Sequence, residues 1–118
     1  MTAQELDAPF ETAAREWCDA TDGWYCPFRS AGSVRLVYDG SADPDAEEAH
    51  GWYDEATQSI GVVLSHGQSP EELVGIVAHE LGHAGGIDGH LEPGLGVMSV
   101  PTLTHVTAAD VELLRESL

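Results

Sequence analysis

The stretch His79-Glu80-Leu81-Gly82-His83-Ala84-Gly85-Gly86-Ile87-Asp88-Gly89-His90, with Met98 a little further on, decides how the rest of the chain is read. Two histidines four positions apart on a helix lie one above the other, because four steps of about 100° nearly close a turn. Both imidazoles then reach a single tetrahedral ion at about 2.0–2.1 Å. Glu80 falls one step round the helix, beside such an ion, where a general base takes a proton from water. The glycines after Ala84 end the helix and let the chain bring His90 back to the same point. The pattern predicts a zinc hydrolase site, with His79, His83 and His90 as ligands and Glu80 as base. The plainer alternative is a surface helix carrying two solvated histidines, since a short motif also arises by chance.

Upstream of the motif, Ser69-Pro70-Glu71-Glu72 predicts a capping box with proline in the first helical position. Leu73, Ile76, Val77, Leu81 and Ala84 then recur at helical spacing as the buried side, and Gly85 and Gly86 stop the helix. The histidine pair thus belongs to the last turns of an anchored helix. Downstream, Gly96-Val97-Met98-Ser99 is expected to turn beneath the site. Thr107-Ala108-Ala109-Asp110 opens a final helix whose inner stripe is Val111, Leu114 and Leu118.

The first half reads as scaffold. Residues 1–8 form a lead-in, and Phe10, Ala13, Ala14 and Trp17 give a helix over 9–20 that Thr21-Asp22-Gly23 ends. Trp17 and Trp24 are expected in the core. Strands are predicted over 33–38, 49–53 and 59–65, with a hairpin turn at 54–58 and a mostly apolar last strand.

A chain of 118 residues supports one domain, 1–118. Its formal charge of −17 comes from 21 acidic side chains against four arginines. Such a surface repels phosphate backbones and anionic membranes, so neither nucleic acid nor membrane is an expected partner. It favours cationic substrates or bound Ca²⁺, although a solvated acidic surface is the simpler account. The run Asp39, Asp43, Asp45, Glu47 and Glu48 is the place for Ca²⁺, but its spacing does not fit an EF-hand loop. No apolar stretch approaches 18 residues, and no basic-then-apolar leader opens the sequence. Cys18 and Cys26 admit a short-loop disulfide or two buried thiols equally. His50, His66 and His105 read as solvated loop histidines.

The residues 79–98 resemble the metzincin clan of zinc endopeptidases, whose pattern is His-Glu-x-x-His-x-x-Gly-x-x-His followed by a Met-turn. His79, Glu80, His83 and Gly86 match position for position, and Met98 in Gly-Val-Met-Ser looks like the Met-turn. The third histidine departs from the pattern. Its place is held by Gly89, and His90 comes one residue late. Asp88 is the alternative third ligand, because relatives of snapalysin type use an aspartate there; neutral imidazole, zinc's commoner partner, favours His90. Val100 stands where a Tyr ligand of the astacin type would be.

The resemblance implies an α+β, zincin-like fold: a small mixed β-sheet packed with an active-site helix, a Met-turn and a C-terminal helix. It implies peptide-bond hydrolysis, with a peptide or protein substrate held antiparallel along an edge strand, residues 49–53 being the candidate. The segment 99–102 would wall the pocket after the scissile bond. A monomer is expected, and the resemblance together with a Cys18–Cys26 bridge favours secretion. Two alternatives stay open. One is a gluzincin using Glu112 or Glu116 as third ligand; the other is a non-catalytic, zinc-stapled interaction domain.

Overall fold

A computed structural model of the chain describes residues 7–27, 35–38, 51–54, 59–62 and 69–118. The elements run α1 (Asp7–Ala20), β1 (Arg35–Tyr38), β2 (Gly51–Asp54), β3 (Ser59–Val62), α2 (Pro70–Ala84) and α3 (Ala108–Glu116). Helix and strand content is mixed, as the sequence predicts. Asp54, expected to open the hairpin turn 54–58, instead ends β2 opposite Ser59; the rest of that turn, the acidic run 39–48 with its Ca²⁺ reading, His50 and His66 lie outside the described residues.

The centre of the molecule is α2. Its Leu73, Val77, Ala78 and Leu81 are buried, and α1 lies along it with Phe10, Ala13, Ala14 and Trp17 fully buried on one stripe. Burying side chains the size of Phe10 and Trp17 contributes roughly 1.5–3 kcal/mol each. The Trp17 indole N–H donates to Ala78 O at 2.9 Å, which fixes the register of the two helices with a polar contact inside an apolar seam. On the sheet side, β3 is central. It pairs in parallel with β1 (Leu36 opposite Ile60) and antiparallel with β2 (Tyr53 opposite Ile60). Ile60 is fully buried, and β2 is an edge among the described strands.

The caps follow the sequence closely. Ser69 Oγ accepts from Glu72 N, and Glu72 returns a carboxylate to Ser69 N. Gly85 caps the C-terminus of α2, and Gly86 turns the chain away at φ 118°. Three further expectations are corrected. α1 begins at Asp7, so residues 7 and 8 are helical; Pro9 sits in the first turn, where its missing N–H has no intrahelical partner to lose. Trp24 is 42% exposed, lying past the helix with the Arg115 guanidinium over its ring at 5.8 Å. Leu118 is 78% exposed because α3 ends two residues before it. Cys18 and Cys26 form a disulfide. Among the described residues no helix is long and apolar enough to cross a membrane.

Candidate metal centre

His79 and His83 come from the last two turns of α2, and His90 from the chain that follows Gly86. One ring nitrogen from each of the three lies within 4.8 Å of the others, close enough to hold one metal ion. The ring centroids form a nearly even triangle: 4.8 Å for His79–His83, 5.0 Å for His79–His90 and 5.2 Å for His83–His90. No other group of three or more potential ligands occurs among the described residues, so Asp88, Glu112 and Glu116 stand outside the cluster.

The ring orientations are set from behind. His79 Nδ1 lies 2.6 Å from Val97 O, and His83 Nδ1 lies 2.7 Å from Ile87 O. A carbonyl only accepts, so each ring carries a proton on Nδ1, and in the neutral form its Nε2 is bare. Those two Nε2 atoms face each other at 3.2 Å. When both rings are neutral, two lone pairs meet there, and a cation between them resolves the conflict. The carbonyl behind a ligating imidazole is also what fixes ring orientation and raises basicity in metal sites.

Glu80 points to the same place. Its Oε2 lies 4.0 Å from His79 Nε2, and the side chain is buried. Burial pushes the Glu80 carboxyl up to about 8. Burial likewise pulls His79 down to about 4, against the opposing pull of the Val97 carbonyl, and lowers His90. The protein thus holds a neutral imidazole at His79 and a carboxyl whose ionisation at neutral pH a nearby positive charge would favour.

The floor is the turn 96–99. Met98 is fully buried, and a side chain at Gly82 would run into the Met98 sulfur and the Trp17 ring, so glycine lets the turn close against α2 between the two histidines. Leu91 N donates to Met98 O at 2.9 Å, and Leu91 pairs with Ser99 as a short bridge, which pins the residue after His90 to this floor. Gly89, just before His90, stands in open space, with nothing within 4 Å of an added side chain.

Two contributors escape a motif search. Asp110 is fully buried, and its carboxylate accepts from Val97 N and Met98 N (both 2.9 Å), Thr107 N (2.8 Å) and Thr107 Oγ1 (3.1 Å). It therefore caps α3 and clamps the turn whose carbonyl holds His79. The only signal in the sequence is an ordinary Thr-x-x-Asp box soon after Met98. The second is Tyr25, whose hydroxyl donates to Leu81 O at 2.6 Å from inside the disulfide loop; burial raises its phenol well above the usual range. His105 is exposed as expected, with Nδ1 3.1 Å from both Glu16 oxygens.

Comparison of the chain with protein-family models, with curated proteins and with solved structures returned no match.

Proposed function

We propose that this protein is a zinc-dependent endopeptidase of the zincin-like, metzincin type, in which His79, His83 and His90 hold the metal and Glu80 is the general base. The observation that carries this reading is the pair of bare Nε2 atoms at 3.2 Å, backed by carbonyls and completed by His90. Two nitrogens on one tetrahedral zinc at about 2.0–2.1 Å stand about 3.3–3.4 Å apart. The observed spacing supports that ion without rearrangement of the helix. No fourth protein ligand joins the group among the described residues, which favours an open, catalytic position over a closed structural one.

A zinc ion held by these histidines would supply Lewis acidity to a scissile carbonyl and would bring the pKa of a water towards about 7. Glu80 accepts the proton of the attacking water and passes it to the departing amine nitrogen as the peptide C–N bond breaks. Val97 O and Ile87 O keep His79 and His83 in the ligating tautomer throughout. β2, an edge among the described strands, offers backbone groups to an extended substrate, and Val100, 60% exposed, belongs to the segment expected to wall the pocket after the scissile bond.

The test is zinc content by mass spectrometry beside cleavage of a mixed fluorogenic peptide library. The native chain is expected to take up one zinc and cut peptides. Glu80→Gln should retain the metal and lose roughly 10²–10⁴ in rate, whereas His83→Ala should lose the metal. A chain that takes up no zinc, or a Glu80→Gln variant as active as the native one, ends this reading.

A further inference from the structure

Beside the three histidines lies a cleft of about 420 Å³, lined by Tyr53, His83, Ala84, Gly86, Ile87 and Asp88. That size lies in the range of small-ligand sites and accommodates a long side chain. His83 belongs to the metal centre and Tyr53 to the edge strand β2, so an extended chain laid along β2 passes over the cleft on its way to the histidines. Ala84 and Gly86 are small and leave the opening wide.

Asp88 is the one acidic side chain in this lining. It is exposed, stands outside the histidine cluster, and has no hydrogen-bond or ion-pair partner among the described residues. The residue before it is nevertheless anchored. The carbonyl of the preceding Ile87 holds His83 Nδ1, and the Ile87 side chain is buried. Among the described residues no arginine contributes to the lining. Tyr53 adds an aromatic ring to the same wall, a surface on which a guanidinium or ammonium group also settles. The overall charge of −17 draws cationic chains towards the molecule, but only a charge inside the cleft can tie that attraction to one place.

We propose that Asp88 determines specificity by seating an arginine or lysine side chain of the bound peptide in this cleft. The inference rests on the peptidase reading for its meaning, and its test is separable from it.

The probe is a set of dye-labelled decapeptides, alike except for one position that carries arginine, leucine or glutamate and is moved along the chain. Binding is followed by fluorescence anisotropy to zinc-loaded Glu80→Gln protein. At the best position arginine is expected to tighten binding about fivefold over leucine, and more over glutamate. Adding Asp88→Asn should shrink the arginine advantage to within about twofold, leaving the leucine peptide and the zinc content unchanged. Asp88→Arg should turn the preference towards glutamate. An arginine advantage that survives Asp88→Asn, no advantage at any position, or no binding at all would each overturn the proposal. Cleavage by the native chain is scored separately. If no peptide is cut while Asp88-dependent binding stands, the peptidase reading fails alone; if peptides are cut without that dependence, the cleft assignment fails alone.

Discussion

Burial acts in opposite senses on two adjacent residues, His79 and Glu80, and this gives the metal-free protein a defined response to pH. The folded His79 is lowered from 6.5 to about 4, so it resists a proton that the unfolded chain accepts. Its stabilising contribution is complete above pH 6.5 and is lost as pH falls through about 4. The folded Glu80 is raised from 4.5 to about 8, so it keeps a proton that the unfolded chain has released. Its contribution is complete below pH 4.5 and is lost as pH rises through about 8. Between pH 6.5 and 8 the Glu80 effect stands without opposition from His79. With a chelator present, the melting temperature should therefore fall by roughly 5 °C or more from pH 6.5 to 8.5. Glu80→Gln should flatten that limb, and differential scanning calorimetry of the two proteins makes the comparison. At this scale much was legible. Helical spacing alone brings His79 and His83 together, and the choice of His90 over Asp88 follows from imidazole chemistry. Neither the hold of Asp110 on Val97 and Met98 nor that of Tyr25 on Leu81 could be read, because each reaches backbone atoms outside its own turn or loop.

Among the elements, the joint between α3 and the turn 96–99 carries the most consequence. Asp110 satisfies two N–H groups of the turn and the Thr107 N–H at once, and a side chain at Gly96 would collide with its carboxylate. Asp110→Asn turns part of that acceptor set into a donor facing other donors. It should cost roughly 2–4 kcal/mol in urea unfolding and weaken zinc about tenfold or more, since it loosens the carbonyl behind His79. Unchanged affinity in a folded variant would confine Asp110 to stability. The helix ends were readable because a capping box is local chemistry: Ser69 with Glu72, and Thr107 with Asp110, need only their own neighbours. The errors came where tertiary context decides. Trp24 looked like a core residue by type, and Leu118 extended a stripe beyond the last turn that α3 forms. The strands were placed by alternation, but pairing β3 between β1 and β2 is a long-range fact with no local mark.

For the molecule as a whole, the disulfide ties the end of α1 to the segment that carries Tyr25, with 8 residues of sequence separation. A loop that short contributes roughly 2.5 kcal/mol through the unfolded state. Reduction should lower the unfolding free energy by about that amount, and it should also release the Tyr25 hydroxyl from Leu81 O, so zinc affinity should drop with it. Urea titrations and metal competition with and without reductant measure the two effects.

The contact of Trp17 with Ala78 reaches across 61 positions of sequence, and its meaning extends beyond stability. The three clustered histidines, Glu80 and the turn 96–99 all lie after position 69, while the stripe that covers the back of their helix lies before position 18. Severed from that stripe, the histidine-bearing fragment would present Val77, Ala78 and Leu81 to water as an oily flank. The half of the molecule that carries none of the clustered histidines thus holds a veto over the half that does.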